Sequence, residues 1–257
     1  MDRNERVDAI FEMLRERGAS PINELAESLG VSHMTVRRDI EALVEEGRVV
    51  RYHGGVRIGD QEEAAAYDLR RAESQHRREK ELIARFAAGL IQPGDTVFID
   101  AGTTTEMIAR LLPPRRNLTV VTTALNIINI ATAIPGTRVI STGGEYHESS
   151  GVFDGPEAIA LLSRTRVTRA FLSANAVQFE LGVTCSNQFE VAGKRQAMQS
   201  SLEKILVIDS SKMGHVVSAH FAEIHEFDRI VMNRPDDETL AECRSSGVSF
   251  DFVDLSG

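Results

Sequence analysis

Apolar residues in the first 46 positions recur at helical spacing in three short blocks. Val7, Ile10, Phe11 and Leu14 share one face of a first helix that stops at Gly18. Ile22, Leu25, Ala26 and Leu29 form the stripe of a second, which Pro21 opens and Gly30 ends. Ser32 is a good N-cap for a third, whose stripe is Val36, Ile40, Leu43 and Val44 and whose stop is Gly47. Residues 48–52 and 54–58 then read as two short strands of a hairpin.

From about residue 60 the pattern is lost in a polar, charge-mixed connector without Pro or Gly, which predicts partial helix rather than a floppy linker. Beyond it, compact β-rich runs at 96–100, 118–122, 138–141, 170–172, 205–209, 229–232 and 248–250 alternate with helical patterns. Leu82, Ile83, Phe86 and Leu90 mark one such helix, and Met107, Ile108, Leu111 and Leu112 another. Short apolar strands separated by helices predict an α/β domain with a mainly parallel sheet covered on both faces. The expected division is a reader at 1–58, a connector at 59–78 and a larger domain at 79–257.

Charge and cysteine content narrow the class. In 257 residues, 29 Lys and Arg face 38 Asp and Glu, a net charge of −9, which excludes binding polyanions through the whole surface but leaves room for a small local reading face. Cys185 and Cys243 are too few for a disulfide framework or a zinc cluster and are expected as reduced thiols. The most apolar stretch, 118–134, is broken by Thr122, Thr123, Asn126 and Asn129 and falls short of the roughly 18 apolar residues of a membrane span. Residues 1–5 lead into no apolar h-region, so a soluble, cytoplasmic protein without membrane association is expected.

Two short helices, a tight turn, a capped third helix and a basic hairpin make a winged helix–turn–helix, whose third helix enters the major groove of double-stranded DNA. With Val36, Ile40 and Leu43 inward, Met34 and Arg38 point outward and Thr35 and Arg37 flank them. His33 falls nearer the buried side, which leaves its base contact open. Arg pairs bidentately with guanine, Thr bonds a base edge or a phosphate, and Ser32 with nearby N–H groups holds a phosphate. Arg51, His53 and Arg57 of the wing are candidates for backbone or minor-groove contact.

The run from Leu25 to Ile40, with its Val31-Ser32-x-x-Thr35-x-Arg37-Arg38-Asp39 core followed by Arg51-x-His53-Gly54-Gly55, closely resembles the DeoR family of bacterial transcriptional regulators. The resemblance implies a DNA-binding repressor with Ser32, Thr35, Arg37 and Arg38 at its reading surface.

In the larger domain, Asp100-Ala101-Gly102-Thr103-Thr104-Thr105 follows a strand and opens a helix. Gly102 permits close backbone approach, and threonine hydroxyls beside free helix N–H groups suit an anion. The loop has neither the lysine of a Walker motif nor dinucleotide-fingerprint spacing, so no cofactor and no nucleotide hydrolysis are expected. Polar clusters end other strands too: Thr122-Thr123, Gly143-Gly144-Glu145, Ser173-Ala174-Asn175 and Asp209-Ser210-Ser211-Lys212. In an open parallel sheet such clusters converge on one ligand beyond the strand ends, and Lys212 would supply charge to a phosphate. Glu190 and Lys194 sit four apart on a helix, the spacing of a surface ion pair as much as of a site.

This half resembles the family's sensor domain, itself similar in fold to ribose-5-phosphate isomerase, through Asp100–Thr104, Gly143-Gly144, Gly182-Val183-Thr184, Glu190 to Lys194 and Asp209–Lys212. The resemblance implies release from an operator by a phosphorylated sugar. Many members carry Gly-Ala-Asp where this chain has Ser173-Ala174-Asn175, and Asn175 bonds a hydroxyl but cannot act as a carboxylate base. Residues 143–147 and 182–187 look most like the deoxyribonucleoside-regulator branch, which points to a deoxypentose phosphate.

Two other classes compete with the regulator. A sugar-phosphate isomerase with a regulatory head needs a placed base, for which only Asp100 and Glu190 qualify. A metal enzyme would draw on His215, His220 and His225, but steps of five spread these about 140° apart on a helix and no acidic partner has ligand spacing. A single reader on an acidic chain makes few phosphate contacts, so a homodimer or homotetramer is expected.

Overall fold

A computed structural model describes residues 3–17, 19–45, 49–52, 55–58, 76–114 and 116–254. The chain divides into two compact units, Met1–Tyr67 and Asp68–Gly257. Residues 59–75 of the expected connector lie outside the described residues, and its last residues, Arg77 and Arg78, already belong to a helix.

The first unit runs α1 (Arg3–Arg17), β1 (Ala19–Pro21), α2 (Ile22–Leu29), α3 (His33–Glu45), β2 (Val49–Tyr52) and β3 (Gly55–Ile58). Ile10, Leu14, Leu25, Ala26, Val36, Ile40 and Leu43 form its core, with Val7, Phe11, Ile22 and Leu29 packed at the margin. α2 ends on Gly30 in the left-handed conformation, its N–H bonded to the carbonyls of Ala26 and Glu27. Pro21 stands one residue outside α2, as its extended N-cap. β1 is an addition to the expected elements: it pairs antiparallel with β3, which also pairs with β2. Gly18, Gly47 and Gly54 lie outside the described residues.

The second unit begins with α4 (Arg77–Gly89), β4 (Thr96–Ile99), α5 (Thr103–Arg110), β5 (Thr119–Thr122), α6 (Leu125–Thr132) and β6 (Arg138–Ser141). A hairpin, β7 (Glu145–His147) and β8 (Val152–Asp154), leads into α7 (Pro156–Ser163) and β9 (Val167–Leu172). Then come β10 (Ala176–Gln178), β11 (Gly182–Cys185), α8 (Gln188–Gln199), β12 (Ser201–Val207), β13 (Ala219–Ala222), β14 (Arg229–Asn233), α9 (Asp237–Ser245) and β15 (Phe250–Val253). Seven strands form one parallel sheet in the order β15-β14-β12-β9-β4-β5-β6.

Alternation along each strand splits the core in two. Val97 and Ile99 face α4, α5 and α6, where Ile83, Ala84, Ile108 and Ile127 are buried. Phe98 faces the other side, with Leu162 of α7, Ala197 of α8, Cys243 of α9 and the small antiparallel sheet β10-β11-β13. Both faces being covered, the central strands read as apolar runs rather than as alternating ones.

Strand order reverses between β4 and β9: β4, β5 and β6 run outward one way, and β9, β12, β14 and β15 the other. Toward the N-terminal ends of the strands, charges alternate in sign from one strand to the next. Arg169 on β9 pairs with Asp95, just before β4, and with Glu203 on β12 at 2.9 Å. Arg229 on β14 takes up Glu203 at 3.6 Å and Asp251 on β15 at 2.8 Å.

Candidate DNA-reading face and effector site

The start of α3 is built by its cap. The Ser32 hydroxyl accepts from the Thr35 N–H at 3.2 Å, its carbonyl accepts from Val36, and the Ser32 and Thr35 hydroxyls lie 2.9 Å apart. With Val36, Ile40 and Leu43 fully buried, Met34, Arg37 and Arg38 are exposed and Thr35 is half-buried. His33 corrects the helical-wheel expectation: it too is exposed, because the first residue of α3 projects beyond the point where packing begins at Val36. Arg51 and Arg57 lie on β2 and β3, and His53 falls outside the described residues.

The sequence reading named Asp39 in the family core but gave it no role. Asp39 is buried and accepts from Arg6 of α1 through both oxygens, at 2.5 and 3.2 Å. The pair fixes α3 against α1, and so fixes which residues of α3 point outward. The signal was an acidic residue on the apolar side of the third helix.

The second cluster lies where the sheet reverses direction, the place where open α/β sheets bind ligands. Asp100 follows β4, and its N–H bonds the carbonyl of Phe171 on β9. One carboxylate oxygen, Oδ2, accepts from the Ser173 N–H at 2.9 Å, the Ser173 hydroxyl at 3.1 Å and Lys194 Nζ at 2.5 Å. Lys194, on α8, also donates to the Ser173 carbonyl at 3.2 Å, stands 3.7 Å from Glu190 and lies over the Phe221 ring. Glu190 accepts from the Asn187 amide at 2.7 Å.

Burial is the largest single influence on Glu190, Lys194 and Cys185, though not always the deciding one. It pushes the Glu190 carboxyl above its ordinary value, although the Lys194 charge and the Asn187 bond oppose the shift. Burial alone would depress the Lys194 ammonium, but Asp100 and Glu190 outweigh it and hold it above its ordinary value. The Cys185 thiol beside them is pushed up to about 11, again by burial first. Lys194 is therefore a fixed cation between two carboxylates.

Asp100, Thr123, Glu190 and Lys194 line one cavity together with Phe98, Gly193 and three residues of the β8 strand, Val152, Phe153 and Asp154. It holds about 10 Å³, room for about one water. The β7–β8 hairpin is tied down over it by the Phe153 N–H on the Thr123 carbonyl and by His147 stacked on Phe189 of α8, ring centroids 3.8 Å apart. Thr103, Thr104 and Thr105 are buried at the head of α5, beside Asp100, and the Thr105 hydroxyl bonds back to the Gly102 carbonyl at 2.9 Å.

Close packing within the fold leaves no room for a side chain at Gly102 and Gly144. Gly102 has φ +148°, and a Cβ there would lie 2.9 Å from the Ser173 hydroxyl. Gly144 has φ +113°, and a Cβ would lie 2.2 Å from the Asp154 carbonyl oxygen, with Gly143 beside it at φ +67°. Asn175 and Lys212 stand outside the cavity lining. The Asn175 side chain accepts from the Ser186 N–H at 3.1 Å. Lys212 shares its surroundings with Asp209 and with Lys80, a buried lysine of α4 whose ammonium is depressed by burial. Lys80 was missed although it falls on the face of Ile83, Ala84 and Ala87.

A larger hollow, about 280 Å³, lies between α4 and α5 among Arg77, Glu81, Arg85, Thr103, Glu106, Met107, Arg110 and Leu111. Four of its charges are paired, Arg77 with Glu81 and Arg110 with Glu106.

A capped helix set outward on a small winged core, together with a buried polar cluster at the reversal of a parallel sheet, defines a DNA-reading unit followed by a ligand-sensing one. Residues 6–62 match the DeoR-like helix-turn-helix domain, and residues 75–234 match the DeoR C terminal sensor domain. The chain is 34% identical over 239 residues to the HTH-type transcriptional regulator IolR of Bacillus subtilis, covering 93% of this chain and 94% of that one. It is 35% identical over 250 residues to the lactose phosphotransferase system repressor of Staphylococcus epidermidis, covering 95% and 98%. The chain belongs to the DeoR family and is a DNA-binding transcriptional regulator, not an enzyme.

Among solved structures, ribose 5-phosphate isomerase A from Methanocaldococcus jannaschii overlaps 52% of this chain and 53% of its own, at TM-score 0.39 and 17% identity. Full-length sorbitol operon regulator SorC from Klebsiella pneumoniae overlaps 82% and 90%, at TM-score 0.34 and 12% identity. Likenesses this remote say nothing about activity. Among the described residues, no helix is long and apolar enough to cross a membrane.

Proposed function

We propose that the protein is a cytoplasmic repressor of carbohydrate or nucleoside catabolism genes, released from its operator by a phosphorylated sugar. The observation that carries this reading is the buried Asp100–Lys194–Glu190 cluster at the sheet reversal, next to the threonine-rich start of α5. The sugar hydroxyls would meet Asp100, Thr123 and Glu190, with Lys194 holding the carboxylates in place. The phosphate would take the N–H groups of Thr103, Thr104 and Thr105, which have no acceptor within their own helix, together with the Thr104 hydroxyl. Lys212, which shares its surroundings with Lys80 and Asp209, is proposed to complete its charge balance. A cavity of about 10 Å³ cannot hold a sugar phosphate, so binding must lift the β7–β8 hairpin at its Gly143-Gly144 base.

Calorimetric titration with a panel of pentose, deoxypentose and hexose phosphates tests the site. A ligand that binds the wild type but fails with Thr104→Ala or Lys212→Ala supports it, whereas wild-type affinity in both variants would move the pocket elsewhere. The unphosphorylated sugar should not bind. On the DNA side, the cap Ser32 and Thr35, Arg37 and Arg38 of α3, with Arg51, His53 and Arg57 of the wing, would contact the operator. Arg38→Ala should weaken operator binding by about 1–3 kcal/mol. A homodimer or homotetramer would place half-sites about 34 Å, or a multiple, apart; a monomer at micromolar concentration with full operator affinity would contradict it.

A further inference from the structure

We propose that Met34 reads the 5-methyl group of a thymine and is the apolar specificity determinant of the operator. This rests on α3 facing the major groove, as the regulator assignment requires. Met34 is 63% exposed, an unusual place for a long apolar side chain among Ser32, His33, Thr35, Arg37 and Arg38. Its exposure follows from the fold: Val36, Ile40 and Leu43 are fully buried, and the Arg6–Asp39 pair holds α3 from rotating. At 100° per residue Met34 and Arg38 lie about 40° apart on the face opposite Val36, so both meet the same stretch of groove.

The two side chains have different targets. Arg38 donates hydrogen bonds, which suits guanine, whereas a thioether offers no strong donor or acceptor for a base edge. What it offers is soft, polarizable apolar surface on three rotatable bonds. The thymine methyl is the apolar group that the major groove presents. Joining two exposed apolar groups removes both from water, which neither Met34 nor the methyl achieves in the free partners.

The probe is a duplex selected by the wild-type protein from a random-sequence pool. Each thymine is replaced in turn by deoxyuridine, which removes the methyl and leaves base pairing intact. Replacement at one step of each half-site is expected to weaken wild-type binding about fourfold, the worth of one buried methyl-sized group. Met34→Ala and Met34→Gln should bind the parent duplex about tenfold more weakly and be indifferent to deoxyuridine at that step. Both variants should melt as the wild type does, because the side chain is largely in solvent. Wild-type binding unchanged by every replacement would overturn the proposal, as would variants that remain equally sensitive. A wild-type protein that selects no duplex would overturn the groove-facing assignment of α3, and Met34's role with it.

Discussion

Replacing Lys194 by Met keeps the length and apolar stem of the side chain while removing its charge. The ammonium is buried against Asp100 at 2.5 Å and Glu190 at 3.7 Å, so the variant leaves two carboxylates without their cation. Breaking a buried pair in this way costs about 3–5 kcal/mol. For a domain of roughly 150–250 residues, each kcal/mol moves Tm by about 2–4 °C, so a drop of about 6–20 °C is expected near neutral pH. The pH dependence carries more information than the drop. Burial already raises the Glu190 carboxyl, and the Lys194 charge is the strongest influence opposing that rise. Without it the folded pKa climbs further. A carboxyl whose folded pKa exceeds its unfolded one favours the fold while protonated, and that contribution is lost as pH rises through the folded pKa. The deficit of the variant must therefore be widest above that pKa and narrow as pH falls toward the ordinary glutamate value. Calorimetric melts of wild type, Lys194→Met and the double variant Asp100→Asn/Lys194→Met across pH 5–8 measure this, the double variant recovering part of the loss. A deficit that stayed constant with pH, or an unchanged Tm at neutral pH, would refute this reasoning.

Gly144→Ala should destabilise the sensor unit by at least about 1–3 kcal/mol, since it adds backbone strain at φ +113° to a clash with the Asp154 carbonyl; an unchanged urea midpoint would be the contrary result. Ser32→Ala removes the cap of α3 and should lower the stability of the reader by about 1 kcal/mol, visible as a shifted denaturation midpoint of the first unit. Cys185 and Cys243 are both buried with thiols pushed up to about 11, so the native protein should react negligibly with a disulfide reagent at pH 8 and release two thiols once unfolded. Rapid native labelling would show that burial does not protect them.

The sequence pattern revealed those elements whose whole length is apolar or periodic. The strand at Arg138–Ser141 lies where the run predicted, and α2 and α3 sit where their stripes and caps place them. The strands expected at 170–172 and 205–209 begin earlier, at Val167 and Ser201, because their first residues carry charges and polar groups that no hydrophobic run reveals. β15 starts two residues later than expected, since Gly247 at φ +75° and the Val248 N–H on Ser246 turn the chain first. β1, the β7–β8 hairpin and the sheet β10-β11-β13 are three- and four-residue strands, too short to show a period. At the site, Asp100, Glu190 and Lys194 were legible as residue types at strand ends and on one helix. The part of Ser173 was not, since its donors reach Asp100 only through the adjacency of β4 and β9, which lie far apart in sequence.

The alternating charges from Asp95 to Asp251 solve a problem that apolar patterning leaves open. A strand that slips by one residue exchanges the side chains of its two faces, and each must then fit the core packed on the other side. A slip by two residues keeps every side chain on its proper face, so a sheet buried on both sides discriminates weakly against it. Such a slip of β14 would bring Val231 to the level of Arg229, leaving Asp251 without its cation and Glu203 with Arg169 alone. Each partly exposed pair adds little stability of its own. Together they act as an error check, satisfied only when four neighbouring strand pairings have closed in phase.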